Sequence, residues 1–206
     1  GFYLDVIKDR LYTTEADSLA RKSAQTVLYH TAESMVRWIA PILSFTADEV
    51  WQFMPGDHAE SVFLTEWYQL PDKPDIGVNW SVIDLVQKSV DKALEVARDE
   101  GVIGSSLDAS ITIYADDKLA ELLASFGEEL HFLFITSDAT LASAIKKPET
   151  AMKSDGIAVS VLKSKHQKCI RCWHKDESVG QSSDHPELCA RCIGNITGRG
   201  ELRLHF

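Results

Sequence analysis

Apolar positions in the first hundred residues recur with the spacing of helices. Between residues 16 and 40, and again between 80 and 100, small and apolar side chains return every three or four positions. This period places them on one face of a helix. Residues 2–11 form a shorter amphipathic segment, and Gly101 is a typical helix end. The pattern therefore predicts a helical bundle.

Two signals divide the middle of this bundle. Pro41 interrupts the long apolar period, because proline cannot continue a helix. Thr46 and Glu49 have the spacing of a capping box, which predicts that another helix begins at Thr46. Residues 55–78 contain Pro, Gly and Asp and predict a connection without regular structure.

The period changes after residue 104. Residues 109–114, 131–136 and 157–162 are apolar or alternating runs of strand length, and residues 116–126 have the spacing of a short helix. These patterns predict an α+β fold, in which a mainly helical bundle is followed by a small α+β unit and a terminal element.

Four cysteines give that terminal element its chemistry. They form two Cys-x-x-Cys pairs, separated by sixteen residues: Cys169, Cys172, Cys189 and Cys192. This spacing is typical of a tetrathiolate zinc site. The alternative is a disulfide pair or a redox motif, but a redox motif needs only one pair. Four thiolates leave no open coordination position, so we expect one structural zinc ion per chain, in a four-cysteine zinc knuckle.

Side chains beside the cysteines have two interpretations. Trp173 directly follows a ligand, and such a ring either stacks on a nucleic-acid base or packs across the small knuckle. His166, His174 and His185 also lie near the cysteines. Because four thiols complete the ligand set, we expect these histidines to face solvent.

Charge is distributed unevenly along the chain. The net charge of the 206 residues is −10. Residues 146–206 contain eleven Lys and Arg against seven Asp and Glu, a net charge of +4, which leaves −14 for residues 1–145. Such asymmetry suggests either a polyanion partner or a solvated basic tail.

The remaining features argue against several functional classes. No apolar run is long enough for a membrane span, and charged residues in the first turns exclude a signal peptide, so we expect a cytoplasmic protein and no membrane partner. The sequence has no Gly-rich phosphate loop and no recognisable nucleophile–base arrangement. We assign no catalytic residue, and the chain has the character of a binding module.

Several segments resemble one enzyme family closely. Residues 2–12 (FYLDVIKDRLY) and 36–51 (VRWIAPILSFTADEVW) are similar to the helical anticodon-binding region of class I aminoacyl-tRNA synthetases for large aliphatic amino acids. Residues 101–114 (GVIGSSLDASITIY) and the two cysteine pairs resemble the bacterial isoleucyl-tRNA synthetase branch. The resemblance covers essentially the whole chain.

The resemblance implies a function and a division into domains. It implies the C-terminal part of an ATP-dependent isoleucine–tRNA ligase, which attaches isoleucine to tRNA(Ile). Residues 1–104 would be the anticodon-binding bundle, 105–164 the α+β subdomain and 165–206 the zinc element. The catalytic and editing domains would belong to the remainder of the synthetase, and we expect this part to be inactive alone. The predicted tRNA-contacting side chains are those of Lys163, Lys165, Lys168, Arg171, Trp173, Arg191, Arg199 and Arg203.

Two other functions are compatible with the cysteine pattern. A C-terminal four-cysteine element of similar spacing occurs in the formamidopyrimidine-DNA glycosylase family, but this chain opens Gly1-Phe2 and lacks that family's N-terminal proline and acidic residue. We therefore expect no DNA partner. In the second alternative, the zinc element is a structural staple: it stabilises the C-terminal segment and contacts no RNA.

Overall fold

The structure is a computed structural model that describes residues 1–72, 77–154 and 156–205. The described chain forms two compact units, residues 1–21 with 78–206 and residues 22–77. The sequence instead predicts a division into three domains, with boundaries after residues 104 and 164, and this division stays a prediction. Residues 73–76 of the predicted connection lie outside the described residues.

The helices are α1 (Phe2–Thr13), α2 (Leu19–Ile39), α3 (Ser44–Gln52), α4 (Trp80–Asp99), α5 (Asp117–Ala124), α6 (Leu130–Leu133) and α7 (Ala190–Ile196). The strands are β1 (Ala109–Ala115), β2 (Asp138–Ser143), β3 (Met152–Ser154), β4 (Ile157–Lys163), β5 (Gln167–Lys168) and β6 (Lys175–Asp176). Helices dominate the first half, and both helices and strands follow, so the α+β prediction is confirmed.

The larger unit is built on a mixed sheet with the strand order β2-β1-β4-β3. β1 pairs in parallel with β2 and antiparallel with β4, and β3 pairs antiparallel with β4. Burial alternates along β1, where Ile111 and Ile113 enter the core. The period of two that predicted this strand therefore arises because one face of the sheet is covered.

Helix α4 covers the sheet at β4 and β3. Its buried stripe contains the apolar positions that the sequence predicts, with Ile83, Val86, Val90 and Leu94 among them. The helix ends at Gly101 (φ +73°), where the Val102 N–H donates to the carbonyl of Ala97. This is a Schellman ending, in which glycine takes the left-handed conformation without a steric cost.

The predicted strand at residues 131–136 is wrong. This segment contains the end of α6, and the Thr136 N–H donates to the carbonyl of His131 in a second Schellman ending. Phe132, Leu133 and Phe134 are all buried, so the run reads as apolar without alternation. The period of so short a run does not distinguish a strand from a buried helical turn.

β2, immediately downstream of this turn, is one of the strands that the sequence did not predict, along with the short strands β3, β5 and β6. It lies at the edge of the sheet, and three of its six residues are exposed. Its sequence, Asp138 to Ser143, has few of the large apolar residues that mark a central strand.

The smaller unit, residues 22–77, has a core of its own around Trp51. Val36, Ala40, Ala47 and Val62 complete this cluster. The Trp51 indole N–H donates to the carbonyl of Ala59 at 2.8 Å, which fastens the connection after α3 to that helix. The cluster is small, so this unit depends on few buried contacts.

The predicted capping box at Thr46 is also wrong. Helix α3 begins at Ser44, and its N-cap residue Leu43 makes no side-chain capping bond. The neighbouring carboxylate of Asp48 instead accepts hydrogen bonds from the Ser61 hydroxyl at 2.6 Å and the Val62 N–H at 3.1 Å. The Asp48 carboxylate therefore fixes the turn at Ser61 and Val62 rather than capping the start of α3.

None of the described helices has both the length and the apolar character of a membrane span.

Core packing of the larger unit gives the first testable prediction. Leu123 on α5 is fully buried in the main cluster, so Leu123→Ala should lower the free energy of unfolding by about 2–5 kcal/mol. Leu162→Ala, on an exposed position of β4, should change it by less than about 0.5 kcal/mol. Urea denaturation measures both. Equal losses for the two variants would contradict the position of the core.

Candidate metal centre

The four cysteines converge although the two pairs are distant in sequence. The first pair lies in the turn between β5 and β6, which form a two-stranded antiparallel hairpin. The second pair lies at the start of α7, whose N-cap residue is Cys189. All four cysteines are buried, and their sulfur atoms lie within 4.8 Å of one another. We call residues 167–196, which carry these elements, the knuckle.

The sulfur geometry fits a tetrahedral metal. The Sγ atoms of Cys172 and Cys189 are 3.7 Å apart, far beyond a disulfide bond, and all four thiols are free. A zinc ion with bonds of about 2.3 Å to each sulfur places neighbouring sulfurs about 3.8 Å apart. The disulfide alternative is therefore not supported. When bound, zinc would fix the four thiolates in one arrangement and stabilise a segment with little other core.

Donors near the sulfurs suit the negative charge of a tetrathiolate. The Cys189 N–H donates to the Sγ of Cys169 at 3.4 Å, and an Arg171 Nη1 donates to the Sγ of Cys192 at 3.7 Å. A zinc ion with four thiolates has a formal charge of −2, which such donors stabilise. These residues therefore fit a structural metal rather than an open catalytic one.

Arginines of the C-terminal segment join the knuckle to α1. Arg191, between the two cysteines of the second pair, forms a bidentate ion pair with Asp9 at 2.7 and 2.8 Å. The guanidinium of Arg203 donates to the same carboxylate at 2.7 Å and lies 3.3 Å from the centre of the Phe132 ring. Arg171 donates to the carbonyl oxygen of Thr13. We call Asp9, Arg191 and Arg203 the clamp.

Burial makes the clamp energetically important. The Arg203 side chain is 1% exposed and the Asp9 side chain 13% exposed. Burial tends to raise the pKa of Asp9, but the hydrogen bond from Arg191 and the charges of both arginines outweigh burial and lower that pKa. The carboxylate is therefore ionised at neutral pH, and its stabilising effect is lost only as the pH falls through the lowered pKa.

Two histidine rings, that of His174 in the knuckle and that of His131 in α6, are in contact. The expectation that His174 faces solvent is wrong: it is 7% exposed, and its Nδ1 lies 3.2 Å from the Cys172 carbonyl oxygen. Its ring packs edge-on against His131, whose pKa is lowered to about 4 by burial. Both rings are part of the packing under the first cysteine pair. His166 is exposed and His185 partly exposed.

The predicted tRNA-contacting residues fall into two groups. The side chains of Arg171, Arg191 and Arg203 have partners within the larger unit, as described above. Those of Lys163, Lys165, Lys168, Trp173 and Arg199 are exposed. Of the latter, only Arg199 lies outside residues 163–173, the segment that leads from the end of β4 into the first cysteine pair. Most of the exposed group therefore belongs to one stretch of chain.

Trp173 has an unusual backbone. Its φ is +68°, in the left-handed region that bulky residues rarely adopt. The turn requires this conformation, because the Trp173 N–H donates to the carbonyl of Cys169 and the Cys169 N–H donates to that of His174. The ring is 59% exposed, and the Lys168 Nζ lies 5.0 Å from its centre. It does not pack across the knuckle as an apolar core residue.

Three residues that hold the larger unit together were not predicted from the sequence: Asp9, Glu129 and Asn195. Asp9 lies on an amphipathic helix where a charged residue is ordinary, and its partners follow about 180 residues later. Glu129 accepts from the Leu204 and His205 N–H groups, and Asn195 donates to Glu201 at 3.2 Å. None has a local sequence signal, because each depends on a contact with another part of the chain.

Comparison with known proteins agrees with this site. Residues 1–113 match the anticodon-binding domain of tRNA ligase, and residues 167–194 match the zinc finger found in FPG and IleRS. The chain is 50% identical over 212 residues to the isoleucine–tRNA ligase of Nitrosococcus oceani and 52% identical over 210 residues to that of Pseudomonas aeruginosa, each alignment covering 98% of the chain. The enzyme of Legionella pneumophila is 50% identical over the whole chain. The chain spans 22% of the length of these relatives.

Metal content tests the centre. We expect one zinc ion per chain, and Cys189→Ser should abolish stoichiometric binding and unfold the knuckle, because structural zinc sites contribute about 10 kcal/mol or more of coupled folding free energy. Elemental analysis and thermal melting measure the two effects. The control Ile170→Ser changes an exposed residue between two ligands and should keep the metal. Full zinc content in Cys189→Ser would contradict the ligand set.

The clamp gives a separate prediction about stability. Asp9→Ala leaves Arg203 buried without its carboxylate, so the free energy of unfolding should fall by about 3–5 kcal/mol. Asp5→Ala removes an exposed carboxylate from the same helix and should leave the urea transition in place. If both variants unfold at the same urea concentration as the parent chain, the clamp does not stabilise the fold.

Proposed function

We propose that this chain, which belongs to the anticodon-binding domain family of tRNA ligases, binds the anticodon arm of tRNA(Ile) as part of an isoleucine–tRNA ligase. Its relatives of about 50% identity bear that name, and its zinc finger belongs to a family named for the same enzyme. The reaction of the complete enzyme would join isoleucine to tRNA through an ester bond, while ATP is cleaved to AMP and pyrophosphate. That enzyme would act in the cytoplasm, where tRNA is charged.

The observation that carries the proposal is the state of Trp173. A left-handed tryptophan costs about 1–2 kcal/mol relative to glycine, yet here the ring gains little burial in return. Backbone strain retained on an exposed aromatic suggests a functional constraint. An exposed ring is suited to stacking on an unpaired base, and recognition of RNA loops depends on such stacking.

The zinc ligands would act as a scaffold for this ring. Cys169 and Cys172 would hold the turn that forces Trp173 outward, and the bond from the Cys169 N–H to the His174 carbonyl closes the turn at 2.9 Å. Because the clamp fastens the same element to α1, the ring would be presented from a rigid support. A preorganised support lowers the entropic cost of binding.

Exposed lysines supply the charge for the RNA backbone. Lys163 ends β4, Lys165 lies in the segment after it, and Lys168 lies within 5.0 Å of the Trp173 ring centre. Phosphate contacts of this kind would set the position of the loop, and stacking and base contacts would discriminate between sequences. Arg199 would extend the basic surface. We exclude Arg191 and Arg203 from this role, because both guanidinium groups are bound to Asp9 and Arg191 also pairs with Glu201 at 3.1 Å.

The catalytic and editing steps would belong to other parts of the ligase. We assign no catalytic side chain in this chain, and we expect it to bind tRNA without charging it. The zinc finger family is shared with FPG, but the match over residues 1–113 favours a tRNA partner over duplex DNA. A purely structural knuckle would leave the exposed, strained Trp173 unexplained.

Replacement of Trp173 separates binding from folding. Trp173→Gly relieves the left-handed backbone, so the thermal melt should stay the same or rise, while tRNA(Ile) affinity should fall about 5- to 150-fold through loss of about 1–3 kcal/mol of stacking. A filter-binding series from low to high salt measures affinity and its salt dependence. The salt dependence should not change, because stacking releases no counterions.

Two controls make this result specific. Trp173→Tyr keeps an aromatic face and should retain most of the affinity. Duplex DNA of equal charge should compete poorly. Unchanged tRNA affinity in Trp173→Gly would favour the structural staple, and equal competition by duplex DNA would favour the glycosylase-like alternative.

A further inference from the structure

An open cavity lies between α1 and the turn that carries the first cysteine pair. It has a volume of about 570 Å³, which is within the range of small-ligand sites. Val6 and Phe132, which are buried, line it together with the partly buried side chains of Leu107 and Ile135. Such a lining favours a ligand with an apolar or aromatic part.

Two exposed aromatic side chains line the same cavity. Tyr12, on the last turn of α1, is 73% exposed, and Trp173 is 59% exposed. Lys168, whose ammonium nitrogen lies 5.0 Å from the centre of the Trp173 ring, is not among the lining residues. The cavity therefore has aromatic walls from two different segments, and each wall retains ring surface that a ligand can cover.

Arg171 fixes one of these aromatic segments against the other. Its guanidinium donates to the carbonyl oxygens of Thr13 and, at 3.4 Å, of Tyr12. The last carbonyls of a helix have no partner within it, so these bonds satisfy the end of α1. Trp173 follows Arg171 by two residues, in a turn closed by its N–H bond to Cys169 at 2.9 Å. The two walls are therefore preorganised, which lowers the entropic cost of binding.

The charged groups of the cavity are compatible with a base inside it and phosphates at its edge. Asp5, Lys8 and Asp9 also line it, on the same face of α1 as Tyr12. Both carboxylates have cationic partners, because Asp5 pairs with Lys8 at 2.7 Å and Asp9 is bound by the clamp arginines. The Lys8 side chain is 62% exposed, and an exposed ion pair is weak, so Lys8 can turn toward a phosphate.

We propose that this cavity binds one unpaired base of the tRNA anticodon loop, stacked between the rings of Tyr12 and Trp173. The inference rests on the proposed function and extends it, because it adds a second aromatic wall and a receiving cavity to the Trp173 contact. Bases that leave their stack in an RNA loop are commonly held by aromatic side chains. The base would lie over Leu107 and Ile135, and its phosphate would face Lys8.

A protein side chain with an aromatic ring would also match the apolar lining. RNA is the better occupant for two reasons. Lys165 and Lys168 are exposed in the segment that leads to Trp173, where they can contact phosphates. The strained backbone of Trp173 is retained on the wall that would stack on the base.

Replacement of Tyr12 tests the second wall. Tyr12→Leu should weaken the binding of tRNA(Ile) about tenfold in filter binding, while Tyr12→Phe keeps the ring and should bind like the parent chain. The thermal melt should not change, because the side chain is exposed and Arg171 binds the backbone carbonyl. Tyr3→Leu changes a half-exposed tyrosine of the same helix outside the cavity and should have no effect on affinity.

A double-mutant cycle tests whether the two rings hold the same base. If they do, the loss in Tyr12→Leu combined with Trp173→Gly should be smaller than the product of the two separate losses, because a base that has lost one wall gains less from the other. Two rings that bind different bases would give losses that multiply.

Methyl NMR locates the base. The probe is the anticodon stem-loop of tRNA(Ile), titrated into the full chain with labelled isoleucine and leucine methyl groups. The signals of Ile135 and Leu107 should shift in the parent chain and not in Trp173→Gly. The signal of Leu162, which is exposed on β4, should stay in place in both.

The remaining outcomes would overturn the proposal in distinguishable ways. Parent-like affinity in Tyr12→Leu beside a loss in Trp173→Gly would remove the cavity and leave Trp173 as an RNA contact. Multiplying losses would assign the rings to separate bases, and absent shifts at Ile135 would place the base elsewhere. Larger shifts with the peptide acetyl-Gly-Trp-Gly-amide than with RNA would assign the cavity to a protein side chain. Unchanged affinity in every variant would contradict the proposed function as well.

Discussion

The larger unit depends on one buried carboxylate. Asp9 binds Arg191 and Arg203, which come from the knuckle and from the last residues of the chain, so one side chain of α1 joins three distant segments. Arg203 is buried too deeply to be well solvated by water. The Asp9 carboxylate, the charges of Glu201 and Glu129 and the covering Phe132 ring compensate for that burial in part. A zinc site would hold the knuckle together internally. The clamp determines where that knuckle lies against the rest of the unit.

Local signals predicted the parts of the fold that local interactions form. Helix α4 was predictable because its apolar stripe and its glycine stop agree. The cysteine ligands were predictable because two short motifs contain the chemistry. The helical turn at residues 130–136 was not predictable, since its three consecutive buried residues, Phe132 to Phe134, have no diagnostic period. Asp9 was not predictable either, since nothing within α1 indicates partners at the other end of the chain.

Two residues other than glycine adopt left-handed backbone conformations among the described residues, and the contrast between them is informative. Ile135 occupies the position of a Schellman ending that glycine usually fills, as Gly101 does after α4. Its side chain packs partly against the main core, which offsets the strain. Trp173 has a similar φ but projects its ring toward solvent, so packing does not compensate for its conformation. This difference separates a residue kept for stability from one suited to binding.

The formal charge of residues 146–206 overstates the number of cations that this segment exposes to a polyanion. Its net charge of +4 suggested a basic surface, but Arg191 and Arg203 are both bound to Asp9 from the acidic part of the chain. The arginines thus use their planar, multi-donor heads for buried carboxylate recognition, for which guanidinium geometry is well suited. Most lysines of this segment are exposed, whereas Lys175 pairs with Asp108 at 3.4 Å and its side chain is 14% exposed. The uneven distribution of charge along the sequence therefore has two physical origins. Some cations of the C-terminal segment pair with carboxylates inside the protein and fasten the knuckle, and a smaller set is exposed and available to a partner.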